Sequence, residues 1–193
     1  MQHTLVISGF GGQGIILAGR LLAQAAMRAK MQVTFMPAYG AEVRGGASNC
    51  TVVISDQPIA CPVVGYPDCL MALSKAAYAR FANRVRPGGL LLVNSDLVGQ
   101  PEPSENGPPI IPIPADQLAA GLGNPRAANM VMLGAYIGLR PALTLEQLVG
   151  ALPDVLAARH HDTIGLNTKA IQAGQQFVMS LPIERRLAAT CQD

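Results

Sequence analysis

The chain has 193 residues, of which 50% are hydrophobic and 13% charged, with a formal net charge of +2 at neutral pH. That length suits one domain with ample apolar material for a core, and the near-neutral charge argues against a nucleic-acid or membrane-surface protein. No apolar run reaches membrane-spanning length and no basic, apolar, small-residue leader opens the chain, so a cytoplasmic protein is expected. Sparse charge also implies that a partner covers part of the surface. Aromatic residues make up 4% and Trp is absent, leaving alanine and glycine to pack helices closely against a sheet. The cysteines Cys50, Cys61, Cys69 and Cys191 form no CxxC pair and show no metal-ligand spacing. Cys50 and Cys69 read as buried thiols in strands, and the chain is not expected to carry an iron–sulfur cluster or structural zinc of its own.

The apolar run Leu5-Val6-Ile7 meets Ser8-Gly9-Phe10-Gly11-Gly12-Gln13-Gly14, and residues 14–29 then place Ile16, Leu17, Leu21, Leu22 and Ala25 at helical spacing. This reads as strand, tight turn and helix start. Such a turn leaves backbone N–H groups pointing outward at the positive end of a helix dipole, a site for phosphate. The alternative is a tight turn without a ligand. Gln32–Met36 is a second strand, so residues 4–36 are expected to form a βαβ unit with a parallel strand pair. A dinucleotide site would place an acid at the end of that strand; Phe35-Met36-Pro37 stands there, which disfavours NAD or FAD.

Tyr39-Gly40-Ala41-Glu42-Val43-Arg44-Gly45-Gly46 follows, either a turn with a surface Glu42–Arg44 pair or a binding loop. A planar guanidinium flanked by glycines is suited to gripping phosphate or carboxylate. Ser48–Ser55 alternates as a strand, Ile59–Val64 is a short extended piece, and Asp68–Leu73 is another strand. A helix runs from Ser74 or Lys75 to about Arg86. Leu90–Asn94 is a strand buried on both faces, and Asn94, Ser95 and Asp96 at its carboxyl end are either ligand contacts or a helix cap. Residues 99–109 are a proline-rich loop expected to be mobile. Ile110–Ile113 is a last strand, followed by helices from Asp116 and over 126–139. Thr144 with Gln147 forms a capping box, the next helix restarts at Pro153, and a final helix covers Asn167 to Ser180. The tail 183–193 is expected to be loose. Together these predict a single α/β domain over residues 1–193, in three layers, with a mostly parallel sheet of five or six strands flanked by helices.

No Ser-His-Asp or Cys-His arrangement stands out, no Walker lysine follows the glycines, and the acids are scattered. The residues alone point to a phosphate-bearing ligand or another subunit. Gly9-Phe10-Gly11-Gly12-Gln13-Gly14, then Tyr39 to Gly46, then Asn129-Met130-Val131-Met132-Leu133-Gly134-Ala135 occur in that order. In this the chain resembles the gamma subunit of the 2-oxoacid:ferredoxin oxidoreductases, over roughly residues 4–180. The usual family form of the second motif has Ser-Tyr-Gly-Pro-Glu; Ala38 and Ala41 replace its serine and proline here. The arylpyruvate enzymes usually lack that motif, so the chain looks nearer the pyruvate and 2-oxoglutarate branch.

The resemblance implies a heteromeric complex in which alpha, beta and possibly delta or ferredoxin-type subunits carry thiamine diphosphate, Mg²⁺ and the iron–sulfur clusters. The gamma piece is inactive alone, contributes no catalytic residue, supports assembly and handles coenzyme A. On that basis Gly11, Gly12, Gln13, Gly14 and Arg44 are expected to contact the phosphates of coenzyme A, with Glu42 orienting Arg44. The alternatives are that these residues shape only an interface between subunits, or that the chain is a stand-alone phosphate- or CoA-binding regulatory module.

Overall fold

A computed structural model describes residues 1–39, 47–104 and 107–189. Six strands form one sheet: β1 (Gln2–Phe10), β2 (Gln32–Tyr39), β3 (Ala47–Ser55), β4 (Cys69–Ala72), β5 (Leu90–Asn94) and β6 (Ile110–Ile113). Their spatial order is β2-β3-β1-β4-β5-β6. β1, β4, β5 and β6 pair in parallel. β3 runs antiparallel to both its neighbours, β1 and β2, so five of the six strands point one way. The expected sheet and its helical layers are therefore present, with one correction. β1 and β2 share a direction but are not adjacent; β3 lies between them, with Leu5 opposite Val52 and Phe35 opposite Val52 on the other side. The connection from β2 to β3 is short, and a short connection returns a strand antiparallel beside its predecessor, whereas a parallel neighbour needs a long crossover.

Helix α1 (Ile15–Arg28) lies on one face of the sheet, its buried stripe of Ile15, Ala18, Leu21, Leu22, Ala25 and Ala26 following the spacing read from sequence. Its other face carries Gln24 and Arg28, which both donate to Asp154 Oδ2, at 3.1 and 2.9 Å. Gly19 lets α1 settle close to the sheet, because a Cβ there would run into Cys50 Sγ and the Phe35 ring. Cys50 is buried and its thiol is pushed up to about 12 by burial, as expected of a packing residue. Cys69 is also buried.

On the same face, α5 (Ala128–Leu139) is buried along its whole length except at Gly138. Its outer side is sealed by α8 (Ile164–Met179), and the two backbones meet at glycines: a Cβ on Gly134 would strike the Ile171 carbonyl, and one on Gly174 the Val131 carbonyl. The opposite face is covered by α2 (Lys75–Phe81), whose Ala77 and Phe81 pack on Val6, Leu70, Ala72, Leu91 and Val93. Each fully buried aliphatic or aromatic side chain of these two clusters contributes about 1.5–3 kcal/mol relative to exposure.

The remaining helices are short: α3 (Ser95–Val98), α4 (Ala115–Gly121), α6 (Leu145–Gly150), α7 (Leu152–Val155) and α9 (Ile183–Ala189). Thr144 and Gln147 form the capping box expected at the start of α6. α8 begins at Ile164, a turn before the expected start, and is not the last helix. Where a loose tail was expected from 183, residues 183–189 form α9. Leu181 just before it packs on the core and Glu184 sits in its first turn, where a carboxylate favours the helix dipole. Residues 190–193 lie outside the described residues. The loop 99–104 has no regular element.

Candidate functional site

The first βα turn leaves β1 at Phe10 and enters α1 at Ile15. Gly12 and Gly14 both have positive φ, +102° and +72°, which a Cβ disfavours by roughly 1–2 kcal/mol per residue. The turn is braced by two amides. Gln13 Oε1 accepts from the Phe10 N–H at 2.7 Å, and Gln13 Nε2 donates to the Leu73 carbonyl at 2.9 Å, tying the turn to the end of β4. Asn129, buried at the start of α5, donates from Nδ2 to the Gly14 carbonyl at 3.0 Å. Its Oδ1 accepts from the Met130 N–H at 3.0 Å, which fixes the amide. The glycines fit this bracing: a Cβ on Gly14 would run into Asn129 Nδ2, and one on Gly9 into Gln13 Oε1. Gly12 differs, with nothing within 4 Å of its Cβ position.

The Gln13 N–H returns to the Phe10 carbonyl at 3.2 Å, while the N–H groups of Gly11, Gly12 and Gly14 find no backbone acceptor among the described residues. No side chain caps α1 and no acid stands in its first turn. The helix thus presents its unpaired N–H groups and the positive end of its dipole undiluted, an arrangement that attracts phosphate or carboxylate.

The other turns at this edge of the sheet are closed by their own side chains. Ser74 Oγ caps α2 by accepting from the Ala77 N–H at 3.2 Å. Asn94 Oδ1 accepts from the Asp96 N–H at 3.3 Å, and Asp96 Oδ2 accepts from the Asp116 and Gln117 N–H groups at 2.8 and 3.0 Å, closing the start of α4. Asn94 Nδ2 donates to Asp116 Oδ2 at 2.7 Å. Asn94 and Asp96 therefore act as caps, one of the two roles open to them in the sequence.

Of the expected contact residues, Gly11, Gly12, Gln13 and Gly14 come together at this turn. Arg44 and Glu42 belong to Gly40–Gly46, outside the described residues. Gln13 has a second role that sequence reasoning missed, its side chain being engaged in holding the turn. Asn129 was missed as a brace too; its signal was a lone amide opening an otherwise apolar helix. No group of three His, Cys, Asp or Glu that could hold a metal is gathered among the described residues. Nor is any described helix long and apolar enough to cross a membrane.

Comparison with known proteins gives a consistent picture. The family model described as pyruvate ferredoxin/flavodoxin oxidoreductase matches residues 4–177. The 2-oxoglutarate synthase subunit KorC of Methanocaldococcus jannaschii is 40% identical over 156 residues, covering 80% of this chain and 83% of that protein. The ketoisovalerate oxidoreductase subunit VorA of Methanothermobacter thermautotrophicus is 37% identical over 172 residues, which are 89% of this chain but 35% of that protein. Among solved structures, the gamma subunit of a keto/oxoacid ferredoxin oxidoreductase from Geobacter sulfurreducens PCA superposes with a TM-score of 0.78 at 32% identity, covering 93% of this chain and 99% of that one. The 2-oxoglutarate:ferredoxin oxidoreductase from Magnetococcus marinus, solved with 2-oxoglutarate, coenzyme A and succinyl-CoA bound, has a TM-score of 0.81 at 27% identity, over 94% of this chain and 32% of that one.

Proposed function

The chain belongs to the pyruvate ferredoxin/flavodoxin oxidoreductase family, and we propose that it serves as the gamma subunit of a multi-subunit 2-oxoacid:ferredoxin oxidoreductase in the cytoplasm. The complex cleaves the bond between the carboxylate and the oxo carbon of a 2-oxoacid, releases CO2, joins the acyl group to the sulfur of coenzyme A and passes the electron pair to ferredoxin. Thiamine diphosphate, Mg²⁺ and the iron–sulfur clusters belong to the alpha, beta and ferredoxin-type subunits, which also select the 2-oxoacid.

This chain's own part is to support assembly and to hold coenzyme A by its phosphates. One observation carries that reading: the start of α1 is left without a side-chain cap or first-turn acid, while α2 and α4 at the same sheet edge are closed by Ser74 and Asp96. Gly11, Gly12 and Gly14 supply N–H donors, Gln13 and Asn129 fix their directions, and the guanidinium of Arg44 is the further phosphate partner in this reading. Phe10 favours a second reading. It stands 41% exposed beside the turn, as an aromatic side chain at a subunit interface does, so the turn serves a partner chain instead.

Anaerobic pull-down of the tagged chain from its host tests the first claim; the expected eluate contains iron–sulfur partners and reduces ferredoxin only with a 2-oxoacid and coenzyme A. A chain that comes out alone and inert refutes it. Arg44→Ala separates the two readings of the turn. A KM for coenzyme A raised about tenfold (~1.4 kcal/mol) in an intact complex supports phosphate binding, whereas an unchanged KM with loss of assembly favours the interface.

A further inference from the structure

The outer side of α2, with the turn Ala82–Arg84 that continues it, carries charge that the proposed function does not use. Lys75, Ala76, Ala79, Arg80, Asn83 and Arg84 are exposed there, while Ala77 and Phe81 are buried against the sheet. Residues 69–95 contain no acid. Of the fourteen lysines and arginines in the chain, the eleven other than Lys75, Arg80 and Arg84 are outnumbered by the twelve acids, so these three account for the positive net charge. Among the described residues, none of the three forms an ion pair.

The placement does not help α2 to fold. Lys75 occupies its first turn, at the positive end of the helix dipole, and no acid accompanies it. Arg80 and Arg84 stand four residues apart, a spacing at which like charges on a helix repel. The Phe81 ring gathers both: their guanidinium carbons lie 5.2 and 5.6 Å from its centroid. A docked surface that supplies carboxylates turns each of these repulsions into attraction. Guanidiniums pair with carboxylates bidentately, and two that a ring already orders lose less freedom on doing so. The short side chains of Ala76 and Ala79 leave room for a flat surface to approach. A nucleic acid fits less well, because the net charge is only +2 and Phe81, 8% exposed, offers no face for a base to stack on.

We infer that, given the subunit role proposed above, this stripe docks an acidic face of another subunit of the complex, one that presents carboxylates to Lys75, Arg80 and Arg84. The surface is separate from the glycine turn and binds protein rather than coenzyme.

A carbodiimide, which joins a lysine amine to a carboxylate in contact with it, is the probe, applied to the affinity-purified complex. Mass spectrometry is expected to find Lys75 linked to an Asp or Glu of a partner subunit. Lys75 is also expected to resist acetylation at low salt and to react at high salt, because screening weakens exposed charge pairs. Arg80→Glu combined with Arg84→Glu is expected to abolish both the linkage and the protection. Should that variant fail to fold, Arg80→Gln with Arg84→Gln is expected to show the same losses. A complex in which Lys75 links to no partner carboxylate, or reacts equally at both salts, overturns the inference while the subunit role stands. Protection that vanishes on nuclease treatment overturns it too, in favour of a nucleic acid. A wild-type chain recovered without partners refutes the subunit role, and this docking site with it.

Discussion

Two turns at the same edge of this sheet, the one after β1 and the one after β5, face the same electrostatic problem and answer it in opposite ways. Both bring a strand to a helix start, where N–H groups lack partners. After β5 the chain supplies its own acceptors, Asn94 for the Asp96 N–H and Asp96 for two N–H groups of α4. After β1 it supplies none, and its polar side chains hold the turn from behind: Gln13 to Leu73, Asn129 to Gly14. The difference teaches that topology makes an anion site available, while the side chains decide whether it stays available. A position at the carboxyl edge of a parallel sheet does not distinguish the two turns; the uncapped helix start with external bracing does.

The contrast is broken most severely at Gly14. Gly14→Ala combines a positive φ with displacement of Asn129, and is expected to cost about 2–4 kcal/mol in urea unfolding and to raise the KM for coenzyme A in the reconstituted complex more than tenfold. If the KM held while stability fell, the turn would be architecture without a ligand. Gly12→Ala is milder for the fold, since its Cβ meets no atom within 4 Å. The cost of its φ is about 1–2 kcal/mol; if the turn holds a phosphate as proposed, the new methyl crowds it, and the KM for coenzyme A is expected to rise while Tm falls by only a few degrees.

Asp96→Ala tests the closed turn. It removes the acceptor of two N–H groups and should lower stability by about 1 kcal/mol without moving the KM for coenzyme A; a change in KM would place the ligand across both turns. The smallest effect is one of pH. The folded His3 sits below its ordinary value, so the unfolded chain binds more protons from about pH 6.5 down to the folded value. Stability is therefore expected to fall as pH drops through that window and to level off below it. His3→Gln should flatten this part of a Tm-against-pH curve.

Much of this was legible in the sequence because the elements are locally consistent. Leu5-Val6-Ile7 meeting glycines gave β1 and its turn, the spacing of Ile16 to Ala25 gave α1, and Thr144 with Gln147 marked the start of α6. Strand order was not legible. Nothing in Ser48–Ser55 distinguishes a strand that adds to the edge from one that enters between β1 and β2, because pairing partners are chosen by tertiary packing rather than by alternation. The roles of Gln13 and Asn129 were hidden for a similar reason. Gln13 reaches Leu73, sixty residues on, and Asn129 reaches Gly14 across 115. Glycine fingerprints mix two demands that sequence alone cannot separate: room for a brace at Gly9 and Gly14, and open approach at Gly12.

The reciprocal glycine contact between α5 and α8 bears on how the protein is made. α5 is apolar around nearly its full circumference, and its outer side is sealed by a helix that begins at Ile164, 36 residues after α5 starts at Ala128. On the ribosome, every strand of the sheet can emerge before α8 does, so the nascent chain passes through a stage with the sheet complete and α5 still sticky. Chaperone demand and aggregation losses should therefore concentrate in the interval between synthesis of Leu139 and release of Met179.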